Sequence, residues 1–199
     1  MWPVDAVVGE NGAFYFRYDH GARRMIRRFA DDEAMREQYR AQLNLIAKDI
    51  LAAVPGCAVA ADQQYRETDL AIDFCEDVPP LPRDAVEKIA ALMRARGMTA
   101  KISSIHVNGW FGDYNKLEMT RTLMREAFNI DLDARRGDYV FIGDSRNDEP
   151  MFEFFVHAVG VANVADFGAL ITRFPAYTTR ARCGAGFAEL ANTLLQDRQ

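Results

Sequence analysis

Asp144 and Asp148 are the two carboxylates whose spacing best suits chemistry. They lie in Gly143-Asp144-Ser145-Arg146-Asn147-Asp148, between the apolar run Tyr139-Val140-Phe141-Ile142 and the segment Glu149-Pro150-Met151-Phe152-Glu153-Phe154-Phe155. Four consecutive apolar residues suit a strand buried on both faces. The later segment reads as the opening of a helix, with Pro150 tolerable in its first turn. Both aspartates then stand on a turn just past a parallel strand, where open α/β sheets bind ligands. Two neighbouring carboxylates repel unless a cation holds them, and a hard divalent ion with oxygen ligands, Mg²⁺, resolves this most simply. Asp and Asn also cap helix starts, so capping is the competing use of the same residues.

Further along the chain stand other polar groups with chemical potential. Lys116 opens a helix in Asp113-Tyr114-Asn115-Lys116-Leu117. Its ammonium is a compact charge that can pair with a phosphate and a carboxylate, although a lysine at an exposed helix start is ordinarily just solvated. His106, Asn108, Trp110 and Phe111 come just before it. The His and Asn can hydrogen-bond sugar hydroxyls and the rings can pack on a sugar face; a partly buried strand followed by a turn is the other reading. His20 and His157 have no partners at metal-ligand spacing, and Asn11 stands in an Asn-Gly pair that is a common turn signal.

The motif around Asp144 resembles something more specific. Gly143 through Met151 is similar to the fourth motif, GDSxNDxxM, of haloacid-dehalogenase superfamily phosphatases, and more narrowly to the Cof and sucrose-phosphatase-like branch, which carries a large α/β cap. Glu10-Asn11-Gly12-Ala13 resembles the "ENGA" element at which that branch leaves its core for the cap. Lys116 falls in order where the branch has its third-motif lysine, and Val159-Gly160-Val161-Ala162-Asn163 resembles the strand and "GNA"-like loop after the fourth motif. The resemblance spans essentially the whole chain. It implies a Mg²⁺-dependent phosphatase acting on a small phosphate monoester, a sugar phosphate foremost, through an aspartyl-phosphate. It implies Asp144 as a direct Mg²⁺ ligand, Asp148 as completing the ligand set or holding a metal-bound water, and Lys116 as the catalytic lysine. Asn147, Asn11 and Asn163 would support the site, and His106, Asn108 and Trp110 would meet the substrate from the cap.

The chain also departs from that pattern. In the branch, a nucleophile motif DxDxT and a second motif ending in Ser or Thr precede "ENGA". Here nine residues precede Glu10 and contain one acid, Asp5. Asp131-Leu132-Asp133 has the DxD spacing but is followed by Ala134-Arg135-Arg136, and reads as a solvated loop. Asp69 and Asp73 alternate with apolar residues and fit the outer face of a strand. The expectation is an N-terminally truncated core with cation ligands and a lysine but no aspartate to attack. Three readings stay open: a phosphatase, a non-catalytic remnant that binds Mg²⁺ or a phosphorylated ligand, and a phosphomutase. A parallel sheet without its first strand would expose an edge through which the chain dimerises or aggregates.

The elements that must position these residues follow from periodicity. Between 20 and 105 the order is helix, strands, helix, strands, which suits a small antiparallel α+β unit. After Lys116 apolar strands alternate with helices, which implies a parallel sheet with crossovers. The expected fold is therefore α/β, a Rossmann-like core formed by 1–19 and 106–199 with an α+β cap inserted at 20–105. The basic cluster Arg23-Arg24-Met25-Ile26-Arg27-Arg28 reads as an edge strand with a charged outer face, or as a patch attracting an anion.

Composition closes off other classes. With 49% hydrophobic and 27% charged residues the chain is an ordinary soluble globular protein, and a net charge of −5 argues against a nucleic-acid partner. Cys57, Cys75 and Cys183 are scattered and without CxxC spacing, which suits a reducing cytoplasm. No stretch is long and apolar enough for a membrane helix, and Met1-Trp2-Pro3-Val4-Asp5 does not read as a signal peptide.

Overall fold

A computed structural model describes residues 3–196, so positions 1–2 and 197–199 of the expected core lie outside the described residues. The chain packs as two compact units, Met1–Leu123 and Met124–Gln199.

The first unit starts with an antiparallel meander of β1 (Val7–Gly9), β2 (Phe14–Asp19) and β3 (Arg24–Phe29). Asp19 closes the β2–β3 loop by accepting the Gly21 and Ala22 amides at 2.9 and 3.0 Å. Among the described residues β3 lies at the edge of its sheet, as its cluster of arginines leads one to expect. Helix α1 (Glu33–Ala53) begins where Asp32 accepts the Met35 amide at 2.8 Å, a side-chain N-cap. Its Leu43, Ile46, Ala47 and Ile50, at three- and four-residue steps, are the buried positions.

A four-stranded antiparallel sheet follows, made of β4 (Ala58–Val59), β5 (Asp69–Asp73), β6 (Thr99–Ile102) and β7 (His106–Trp110), in the order β4-β5-β7-β6. Helix α2 (Arg83–Ala95) precedes β6. Leu70, Ile72 and Val107 pack with Ile46 and Ile50 of α1 and Ile89 and Met93 of α2 into one core. Gly109 lets helix and sheet close up, since a Cβ there would come within 2.6 Å of Met93 Sδ. Helix α3 (Lys116–Phe128) starts in this unit.

One sequence expectation is corrected here. Asp69 and Asp73 do alternate with Leu70 and Ile72, but their face of the sheet is covered, and each residue is only 1% exposed. Partners within the protein replace water. Asp73 accepts the amides of Cys75, Glu76 and Asp77 at 2.8 to 2.9 Å, and Asp69 accepts from Arg66 and Asn11.

The second unit carries β8 (Val140–Gly143), β9 (His157–Gly160) and β10 (Tyr177–Thr178) as a parallel sheet ordered β10-β9-β8, with helices α4 (Glu149–Phe154) and α5 (Cys183–Gln196). Phe141 stacks on Phe155 and meets Phe152 edge-on, which seats α4 against β8. The expectation that this strand is buried on both faces fails. Among the described residues β8 pairs with β9 alone, and as an edge strand it leaves Val140 42% exposed. The last helix begins at Cys183, three residues before the expected Gly186. Among the described residues, no helix is long and apolar enough to cross a membrane.

Candidate functional site

The Asp144 turn closes β8 at its carboxyl end. Asp148 folds back under it, and its Oδ2 accepts the amides of Asp144 at 3.0 Å and Ser145 at 3.3 Å. Gly143 makes this possible, because a Cβ there would lie 2.7 Å from that same oxygen. Ser145 Oγ donates to Asn147 Oδ1 at 2.6 Å. Ser145 and Asp148 are buried. One oxygen of Asp148 is thus committed to the turn, as the capping reading requires.

The loop after β9 joins the same end of the sheet. The Val161 amide donates to the Gly143 carbonyl at 2.9 Å. Asn163, expected to support a phosphate, caps α5: its Oδ1 accepts the Cys183 amide at 2.8 Å and its Nδ2 donates to Cys183 Sγ at 3.1 Å.

The donor chemistry of the turn fits Mg²⁺, being carboxylate and amide oxygen throughout. Among the described residues no three His, Cys, Asp or Glu side chains gather at one point. The turn therefore offers at most two carboxylates, a number at which Mg²⁺ depends on waters and a substrate phosphate for its remaining ligands.

The first unit holds the other expected residues. Lys116 is the first residue of α3, and Asn115 Oδ1 accepts the Glu118 amide at 3.0 Å. The turn at 10–12 presses on this helix start. A Cβ on Gly12 would come 2.1 Å from the Asn115 carbonyl oxygen and 2.7 Å from the Lys116 nitrogen. Glu10, Asn11 and Gly12 have φ of 42°, 56° and 100°, three left-handed residues in a row. Side chains hold that conformation. The Glu10 carboxylate accepts the amides of Glu67 and Thr68 at 2.7 and 2.6 Å and the Thr68 hydroxyl at 2.6 Å. Asn11 Nδ2 donates to Asp69 Oδ2 at 3.2 Å. Asn11 is therefore engaged with a buried carboxylate of its own unit.

Asp69 is the most perturbed group of this clasp. Burial pushes its carboxyl up to about 6, the Glu10 charge adds to that, and Arg66 and Asn11 oppose it. Tyr114 is pushed up as well, mainly by burial. The sequence reading did not single out Glu10, Arg66, Thr68 or Asp69 as functional. An acid alternating with apolar residues inside a strand was the available signal, since Asp is depleted in strands.

His106, Asn108 and Trp110 alternate along β7 and so share the face turned away from α1 and α2. They stand opposite Asp73, Ala71 and Asp69 of β5. All three are buried. His106 Nε2 lies 2.9 Å from Glu76 Oε2, yet at an angle that makes no hydrogen bond. Asn108 Oδ1 and Trp110 Nε1 are also buried without a hydrogen-bond partner among the described residues. Three polar atoms left unsatisfied on one strand face are costly and uncommon.

No family model and no curated protein matches the chain. Solved structures do. The sucrose-phosphatase of Synechocystis sp., in complex with sucrose and phosphate, aligns with a TM-score of 0.61 at 14% identity, covering 95% of this chain and 73% of that one. A trehalose-6-phosphate phosphatase related protein gives 0.58 at 12% identity, covering 99% and 76%. A haloacid dehalogenase-like hydrolase from Bacteroides thetaiotaomicron gives 0.56 at 12% identity, covering 92% and 74%. At such identities the likeness is one of fold: the chain has the α/β fold of haloacid-dehalogenase-like hydrolases over most of its length.

Proposed function

We propose that the chain serves a Mg²⁺-dependent phosphatase of the haloacid-dehalogenase kind, acting on a small phosphate monoester, a sugar phosphate foremost, by way of an aspartyl-phosphate in the complete family pattern, whose DxDxT nucleophile motif is not among the 199 residues. The observation that carries this is the Gly143–Asp148 turn at the carboxyl end of parallel strand β8, in a chain of that fold. Asp144 would ligate Mg²⁺, and Asp148 would hold the turn in shape and meet the ion through its outer shell. The ion, when bound, would offset charge on the transferring phosphoryl group. Lys116 would pair with the phosphate; Asn147 and Asn163 would shape the loops of their own unit, and Asn11 the turn that abuts the start of α3.

Residues 20–105 would act as the cap. Gly12 and Asn115 touch, so the chain enters and leaves the intervening segment at one place, as an inserted unit does. The leaving group would be chosen through His106, Asn108 and Trp110 on β7, just past that segment and paired with its strands β5 and β6. Their unpartnered atoms include an indole donor and an amide acceptor, which suit the hydroxyls of a neutral polyol. The free cysteines fit a cytoplasmic protein, and neither nucleic acid nor a membrane is part of this reading.

Phosphate release from a sugar-phosphate panel, with and without Mg²⁺, tests the proposal. Turnover that needs Mg²⁺ and is lost in Asp144→Asn is the expected result. A second reading, a non-catalytic module that binds Mg²⁺ or a phosphorylated ligand, is separated by the same assay. Mg²⁺-assisted binding of a phosphate monoester without turnover would select the non-catalytic binding module, and neither binding nor turnover would overturn both. A second copy pairing along the β8 edge is also proposed. The exposed Val140 supports it, as does the groove of about 500 Å³ that Val140 lines with Val159, Tyr177, Leu190 and Leu194.

A further inference from the structure

Three arginines from two elements meet a single carboxylate. Arg27 on β3 approaches Glu67 Oε1 at 2.7 Å, while Arg40 and Arg36, one turn apart on α1, approach Oε2 at 3.4 and 3.7 Å. The guanidinium groups are held in place by rings. Arg36 lies 3.7 Å above Phe29, and Arg27 lies 4.8 Å from the centre of Phe16. Arg36 has only 15% of its side chain exposed, and its Nε is buried without a hydrogen-bond partner. Glu67 balances one of the three charges. Asp31 senses Arg36 and offsets part of a second. Among the described residues the buried Arg36 Nε–H has no acceptor.

We infer that Arg27, Arg36 and Arg40 form a binding site for a doubly charged oxyanion, a phosphate group foremost, in which the Glu67 carboxylate is an intramolecular stand-in that the ligand displaces. Forked guanidinium donors match the oxygens of such an anion, and three of them supply the charge that one carboxylate leaves unmet. The Glu67 backbone stays in place when its side chain swings out, because Glu10 grips the Glu67 and Thr68 amides. The site shares no residue with Lys116 or the Asp144 turn, so it stands or falls independently of the phosphatase reading.

Calorimetric titration of the full chain without Mg²⁺, using inorganic phosphate in one arm and glycerol phosphate in the other, tests it. Glu67→Gln should bind about tenfold tighter than the unaltered chain, and Arg40→Gln about tenfold weaker. Arg40 is 54% exposed in its side chain, so its replacement leaves the fold intact. Arg94→Gln, which removes an exposed arginine of α2 outside the cluster, should bind as the unaltered chain does. A response to both probes assigns the site to any phosphate group, and a response to the monoester alone assigns it to an organic phosphate. The inference is overturned if Glu67→Gln binds neither probe at millimolar concentration, or if Arg27→Gln and Arg40→Gln bind both probes undiminished.

Discussion

Asn11 and Asp69 meet across 58 positions of sequence, the amide donating to the carboxylate at 3.2 Å. The contact fastens a strained left-handed turn to the first residue of a central strand. Glu10 fastens the same turn to Thr68 one residue earlier. Together they fix where the chain passes Asn115 and hence where Lys116 begins its helix.

Asp69 should make stability fall as pH rises. Its folded carboxyl is raised from 3.8 to about 6, so the folded state holds the proton more tightly than the unfolded one. The contribution is complete below about pH 4 and is lost as pH rises through about 6, a change of about 2–3 kcal/mol. Groups held low, such as Asp19 and Glu189, act in the opposite sense. Asp69→Asn should therefore remove a falling component: its stability relative to the unaltered chain improves between about pH 4 and pH 7. Urea denaturation at a series of pH values measures this, and a constant difference would contradict the assignment.

Gly12→Ala should be severe. The new methyl would meet the Asn115 carbonyl oxygen at 2.1 Å, at a φ of 100° that side chains rarely adopt. A loss of about 2–4 kcal/mol is expected in denaturant titration, well above that of a typical substitution.

Asp148→Ala and Asp144→Asn should separate structure from ion binding. Asp148→Ala leaves the Asp144 and Ser145 amides without their acceptor and should cost about 1–3 kcal/mol. Asp144→Asn should change stability by less than about 1 kcal/mol and abolish the rise in melting temperature that Mg²⁺ brings. An equal Mg²⁺ effect in Asp144→Asn and the unaltered chain would remove Asp144 from the ion site.

Trp110→Phe deletes a buried donor that has no acceptor. Its stability cost should stay below about 2 kcal/mol, since the lost packing is partly offset by the removed unpaired group. KM for the preferred sugar phosphate should rise with kcat little changed. A fall in kcat at constant KM would argue against a leaving-group contact.

Val140→Lys places a charge on the β8 edge and should favour the monomer. Sedimentation velocity of the two chains decides, and a monodisperse monomer for the unaltered chain rules out the proposed pairing.

Local patterning determined a good part of this protein by itself. The three- and four-residue steps from Met35 to Ile50, capped by Asp32, specify α1, because helical periodicity and capping depend only on near neighbours. The apolar run before Asp144 and the proline after it specify a strand-turn-helix for the same reason. What lies across an element is a different matter. Alternation showed that Asp69 and Asp73 share a face, and only the packed sheet showed that face to be buried, opposite Trp110 and His106. The same holds for Val140, whose apolar neighbours predict a central strand while its pairing makes it an edge. Burial and pKa are sums over contacts distant in sequence, such as Glu10 with Thr68 and Arg36 with Glu67, and tertiary structure alone brings those together.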